Sequence, residues 1–300
     1  MRGAGDGLAD MLFQFLFEPF GEASVRHSLA GVLALSFSAG PIGVFLMLRR
    51  MSLIGDAMSH AILPGVAIGF LAAGLNVFAM TLGGLVAGLL IALLAGAVSR
   101  ITKLQEDASL AVFLLVSLAF GVVIVTVNGI GIDQLMTFLF GETAAKMNTD
   151  KLLVIAGNST ISLIALALIY RPLVLSCVDP GFLRSVSRSD GVAHFTFLVL
   201  LVLNLINAFH TLGTLLGVGI IIIPAATARF WTRDISKMIV LAIACGLFSG
   251  WAGLLFAFHA RIPSGPAVTL VAGLLYAASV LFGRVGGMVW QAIPGRHLQA

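Results

Sequence analysis

Residues 48–65 read Leu48-Arg49-Arg50-Met51-Ser52-Leu53-Ile54-Gly55-Asp56-Ala57-Met58-Ser59-His60-Ala61-Ile62-Leu63-Pro64-Gly65. A double arginine leads into an apolar run of bilayer-spanning length. That run carries a carboxylate and an imidazole, Asp56 and His60, four residues apart. On a helix this spacing places both side chains on one face, and Ser52 and Ser59 extend the polar stripe. An ionisable group at a bilayer centre costs roughly 2.5–3.5 kcal/mol on insertion scales. A chain keeps such groups where they face a partner helix or a wet pathway. The stripe is therefore read as facing a route for a divalent cation. A buried Asp–His hydrogen bond serving structure alone is the alternative.

Composition around this stretch fixes the class. The chain has 300 residues, 59% hydrophobic and only 10% charged, with a mean hydropathy of +1.09. A soluble domain carries about 25% charged residues. The reading is an all-α, polytopic integral membrane protein; continuous apolar runs exclude barrel strands, which alternate. Spanning segments are expected near 27–48, 52–74, 76–98, 108–127, 151–170, 192–209, 211–230, 236–257 and 265–284. That makes nine transmembrane helices, or eight if two merge. Residues 1–26 form an N-terminal interfacial segment, with an amphipathic helix near 8–20 ended by Pro19. Residues 27–284 form the transmembrane domain and 285–300 a tail. Met1 to Ala23 lacks the pattern of a cleavable signal peptide, so the first span serves as the targeting signal. A short amphipathic helix is expected at Asp133 to Phe140.

Charge placement sets the orientation. With the N-terminus outside, twelve of the 17 Lys and Arg residues fall on inner loops and the tail, as positive-inside bias requires. The net charge of +4 marks topology and not nucleic-acid binding. Gly84-x-x-x-Gly88 and Gly213-x-x-x-Gly217 allow close helix approach.

Two prolines are expected to break helices inside the membrane. Pro64 lacks an N–H and crowds the carbonyl of His60, which becomes an available oxygen ligand. Pro224 does the same to Ile220. Asp56 and His60 suit borderline divalent metals. His210 and His259 fall at outer boundaries, where they could meet an incoming metal or close an outer gate. Glu142 is an outer loop acid. Cys177 and Cys245 have no metal or redox spacing. The inner loop 175–191, with Asp179-Pro180 as a turn and helix start, reads as a short cytoplasmic helix or a plain connector. The chain holds no G-x-x-x-x-G-K-[ST] and no Gly-Lys pair. It is not read as an enzyme, and any ATP hydrolysis falls to another subunit.

The stretch 48–65 resembles the signature of the zinc/manganese permease family of ABC transporters. So do Leu139-Phe140-Gly141-Glu142, Leu212-Gly213-Thr214-Leu215-Leu216, Ile223-Pro224-Ala225-Ala226-Thr227-Ala228-Arg229 and Pro263-Ser264-Gly265-Pro266. The likeness covers nearly all of the chain after residue 27. It implies a type II ABC importer-like permease in the bacterial cytoplasmic (inner) membrane. Two permease copies would form the core, with two cytoplasmic ATP-binding subunits beneath it and an extracytoplasmic metal-binding protein above. No cofactor is held permanently; Zn2+ or Mn2+ is the substrate, and ATP binds the partner subunit. The family's metal ligands map onto Asp56 and His60. Its ATPase-docking helix maps onto Asp179, Pro180, Phe182, Leu183 and Arg184. There the pattern departs, because Ser187-Arg188-Ser189-Asp190-Gly191 intervenes. His210 to Trp231 resembles the zinc-type branch. Manganese or Fe2+ import, a proton-coupled secondary transporter using Asp56, and a scaffold with Asp56 and His60 as interhelical glue are the other readings.

Overall fold

The computed structural model describes residues 18–74, 76–102, 106–128, 149–178 and 189–292. After a short 3-10 turn at Glu18–Gly21, the elements are α1 (Ala23–Leu48), α2 (Ser52–Ala61), α3 (Leu63–Ala73), α4 (Val77–Ile101) and α5 (Glu106–Val127). They continue with α6 (Thr149–Leu168), α7 (Tyr170–Val178), α8 (Ser189–Leu212), α9 (Thr214–Arg229), α10 (Ile235–Ala260), α11 (Ser264–Phe282) and α12 (Met288–Ala292). No strand occurs among the described residues. Seven helical stretches there are long and apolar enough to cross a bilayer, and Ala111–Val127 and Gly217–Arg229 are shorter apolar helices. Most of the interfacial helix near 8–20, the Asp133 to Phe140 helix, Glu142 and the end of the tail lie outside the described residues.

Two packed groups flank α8. α1, α9, α10 and α11 pack together on one side; α2 and α3 pack with α4 and α5 on the other. α6 lies against α1 and α8. The core between them is built from Leu35, Ile42, Phe45, Met58, Ile62, Leu201, Ile206 and Leu212, none more than 1% exposed. Outward faces are apolar too: Leu82, Val86, Leu90 and Leu93 on α4 and Val112, Leu115, Val116 and Phe120 on α5 are exposed. In water such a surface would be an aggregation site. In a bilayer it is the lipid face, where the polar backbone is satisfied within each helix.

Buried polar side chains stitch α1, α6 and α8 together. Asn204 is fully buried. Its Oδ1 accepts from the Ser38 hydroxyl at 2.5 Å, and its Nδ2 donates to the Ser162 hydroxyl and to the Leu200 carbonyl, both at 2.9 Å. One turn on, Asn158 donates to Asn207 Oδ1 at 3.0 Å. Such bonds inside membranes average about 0.6 kcal/mol and reach about 1.7 kcal/mol. Asn204→Ala breaks the two bonds that join α8 to α1 and α6, with the local one to Leu200, and is expected to cost about 1–2 kcal/mol on that scale. Thermal unfolding of the detergent-solubilised protein checks it. A midpoint unchanged from wild type would deny the network any role in stability.

The two membrane prolines behave differently. The second span divides at Ile62, and Pro64 is the second residue of α3. There a missing N–H costs little, because first-turn donors have no helical partner. Pro224 does not break its helix: α9 runs through it from Thr214 to Arg229. Proline is tolerated inside a span when neighbours close over the loosened turn. Gly43 of α1 packs directly on the Ile221 carbonyl, and Ala225 beside the proline is fully buried. Pro41 is likewise carried inside α1.

Candidate functional site

Asp56 and His60 both sit on α2, a helix of ten residues. α1 ends in a tight turn. The N–H of Met51 reaches the Leu46 carbonyl at 2.9 Å, that of Arg50 reaches Met47 at 3.1 Å, and Arg50 is left-handed at φ 57°. This is a Schellman ending with arginine where glycine is usual. A left-handed non-glycine residue costs on the order of 1–2 kcal/mol. α2 starts directly after it. Its apolar span begins at Ile54. At 1.5 Å per residue, Asp56 lies about 3 Å and His60 about 9 Å into that span. Within that apolar stretch the pair therefore falls in the half nearer the arginine turn.

Asp56 is exposed at the surface of the single chain, while its neighbours Ile54, Gly55, Ala57 and Met58 are buried. His60 is half-buried. The Ser59 hydroxyl donates to the Asp56 carbonyl at 2.7 Å, holding the backbone turn. Among the described residues no hydrogen bond joins the two side chains, and His60 Nδ1 is buried with no partner. A buried polar atom without a partner costs about 1–3 kcal/mol. A structural Asp–His pair would not leave that cost unmet; a nitrogen kept for a passing ligand would.

At the helix break, the N–H of Ile62 turns back to the Met58 carbonyl at 3.2 Å and toward that of His60. Ser117 of α5 donates to the Ala61 carbonyl at 3.1 Å, and Gly121 of α5 packs against Leu63 and Pro64. These two α5 residues support the break, and the linear sequence has no signal for them.

The outer histidines are elsewhere. His210 closes α8, with Nε2 3.3 Å from the Thr81 hydroxyl of α4 and its ring edge-on to Phe209. His259, exposed in the last turn of α10, donates from Nδ1 to the Leu255 carbonyl at 2.9 Å. Both lie at the helix ends opposite the Arg49–Arg50 turn. α3, 11 residues and about 16 Å long, runs from the break beside His60 toward that end, and Phe209, next to His210, packs on its Val66. No cluster of three or more His, Cys, Asp or Glu side chains able to hold a metal occurs among the described residues. One chain therefore offers two donors and an open face. Asp179, Pro180, Phe182, Leu183 and Arg184 lie outside the described residues. Cys177, at the end of α7 outside the spans, has its thiol raised by burial, with the Arg49 charge and a Ser176 hydrogen bond pulling it back.

A bundle with seven helices long and apolar enough to cross a bilayer among the described residues, and with a carboxylate and an unpartnered imidazole nitrogen on one short helix, has the build of a multi-pass membrane protein. The family model described as "ABC 3 transport family" matches residues 22–283, and the chain belongs to that family. It is 33% identical over 280 residues to the manganese transport system membrane protein MntC of Halalkalibacterium halodurans, covering 92% of this chain and 94% of the relative. It is 30% identical over 285 residues to the zinc transport system membrane protein TroC of Treponema pallidum, again covering 92% and 94%. Among solved structures, PsaBC from Streptococcus pneumoniae in complex with Fab superposes with a TM-score of 0.84 at 25% identity. That match covers 93% of this chain and 98% of the other.

Proposed function

We propose that this chain is the permease subunit of an ATP-driven importer that carries a divalent transition metal into the bacterial cytoplasm. The observation that supports it most is the unpartnered His60 Nδ1 one helical turn from the exposed Asp56 carboxylate. A second copy of the chain, set face to face across α2, would complete the donor set with its own carboxylate and imidazole. Two carboxylates and two imidazoles make a four-donor site of the kind zinc takes. Zinc is therefore the first reading. Manganese is the second, favoured by relatives such as the one from Halalkalibacterium halodurans that are named as manganese transporters. Iron belongs to the same group, since a probable iron transport system membrane protein of Haemophilus influenzae is 24% identical over 274 residues.

ATP hydrolysis is assigned to separate cytoplasmic subunits, which fits a chain without a phosphate-binding glycine loop. They would dock at 179–188, between α7 and α8. An extracytoplasmic metal-binding protein would deliver the ion at the end bearing His210 and His259. The site holds its cargo through borderline donors and no thiolate, because conduction requires release as well as capture.

The test is uptake into proteoliposomes holding the permease with its ATPase subunits and delivery protein. Zinc and manganese are offered separately, with and without ATP. ATP-dependent accumulation of either metal is the expected outcome, with zinc the faster. Uptake by the permease alone under a proton gradient would replace this reading with a secondary transporter.

A further inference from the structure

Arg49 occupies a position that transport through Asp56 and His60 does not by itself explain. It caps the C-terminus of α1, just before the left-handed Arg50, and its side chain turns inward, half-buried, where that of Arg50 is exposed. Its Nη2 donates to His194 Nδ1 at 3.2 Å, which places the imidazole proton on Nε2. The guanidinium also lies over the Phe197 ring, 5.4 Å from its centre, and Phe197 is fully buried. His194 and Phe197 are in the first turns of α8. On the other side the Arg49 charge reaches Cys177, in the last turn of α7. Arg49 thus contacts α8 directly and its charge is felt near the end of α7, the two helices that flank 179–188, and it is rooted three residues before α2.

The connection is short and stiff. Arg49, Arg50 and Met51 are the whole link between α1 and α2, locked by the two turn hydrogen bonds and the strained Arg50. A displacement at Arg49 has little slack to absorb it before Asp56, seven residues on. Arginine suits this position because its planar fork can bond an imidazole nitrogen while stacking on an aromatic face. A lysine in the same place would do one or the other. Ordinary membrane anchoring would need only an exposed arginine, which Arg50 already supplies.

We propose that Arg49 is a positioning residue that ties the metal-bearing helix α2, through its contact with His194, to the ends of α7 and α8, so that movement of those ends resets Asp56 and His60. The inference rests on the importer reading above and adds to it the element that links the cytoplasmic side to the metal helix.

The experiment compares Arg49→Gln, His194→Leu, the double variant and His194→Gln in the assembled importer. It measures metal ions moved per ATP hydrolysed, a ratio that lower yield or poorer folding does not change. Arg49→Gln and His194→Leu are each expected to lower that ratio about tenfold, in the range of coupling energies carried by single residues. The double variant is expected to be no worse than either single. His194→Gln, whose amide oxygen can accept from Arg49, is expected to keep most of the ratio. An unchanged ratio in both singles, or losses that multiply in the double, overturns the proposal. Should Arg49→Gln fail to assemble, His194→Leu against His194→Gln decides alone. A wild-type complex that moves no metal would instead remove the importer reading, and this inference with it.

Discussion

Asp56→Ala is expected to abolish metal uptake while the assembled protein remains intact. The carboxylate is exposed on the single chain and, among the described residues, takes part in no hydrogen bond that holds α2; the bond at this residue runs from the Ser59 hydroxyl to its backbone carbonyl. Removing it therefore leaves the helix packing untouched and takes away one of two donors. Losing even an outer partner of a metal site costs about 10–100-fold, so loss of a direct donor is expected at or above the upper end of that range. Asp56→Asn separates charge from shape. It keeps an oxygen of the same reach but no negative charge, and a divalent ion is expected to reject it almost as fully as alanine. His60→Ala is expected to fall with it, whereas His60→Gln retains a weaker donor and part of the rate. The measurement is zinc and manganese uptake at matched amounts of permease in the membrane. Normal uptake of both ions by Asp56→Ala would sink the site. Loss in alanine with full retention in asparagine would point to a structural polar contact instead of a metal donor.

The elements of this fold differ in how plainly they can be read from the chain. Apolar runs between basic turns announce helices because the bilayer imposes one length and one backbone solution on every crossing. Gly213, at φ 88° and ψ 164°, separates α8 from α9 three residues past the boundary at residue 210 that hydropathy suggests. Proline is less transparent. Pro64 and Pro224 look alike in sequence, yet one opens a new helix and the other is carried inside one. What decides between them is tertiary. Ser117 and Gly121 of α5 close over the break at Ile62, whereas Gly43 of α1 packs against the continuous α9. The polar stitches at Asn204 and Asn207 left a trace, two amides three residues apart in an apolar span, but their partners Ser38, Ser162 and Asn158 are on other helices. The Arg49–His194 contact joins residues 145 positions apart, and no local pattern marks it. Asp56 and His60 stand out in sequence because an acid and an imidazole in lipid are costly. That no bond joins them among the described residues belongs to the folded chain alone.

Close helix approach sets the second large effect. Replacing Gly43, Gly65 or Gly83 by alanine is expected to destabilise the protein, and replacing Gly157 or Gly273 is expected to leave its stability the same or slightly raised. A methyl group at Gly65 would run into the Gly83 carbonyl and come within 2.6 Å of the Ala87 methyl; one at Gly83 would meet the Gly65 carbonyl in return. α3 and α4 thus touch backbone to backbone at reciprocal glycines, and Gly69 meets Ala79 and Met80 in the same way. At Gly43 the obstacle is the Ile221 carbonyl. None of these contacts is with the tip of a flexible side chain, so the helices themselves must part. Overpacking costs typically about 1–3 kcal/mol, and separating two helices also weakens the dispersion contacts along their seam. Gly157 and Gly273 face open space with nothing within 4 Å. Alanine there adds only helix propensity, worth up to about 1 kcal/mol in a soluble helix. Thermal unfolding of the five purified variants orders them. If Gly65→Ala and Gly83→Ala melt with Gly157→Ala, the backbone seam between α3 and α4 is not a stabilising contact. A fall confined to the three crowded positions also predicts lost transport in those that still fold, because α3 continues the span that carries Asp56 and His60, and its lean against α4 sets the direction in which α2 enters the bundle.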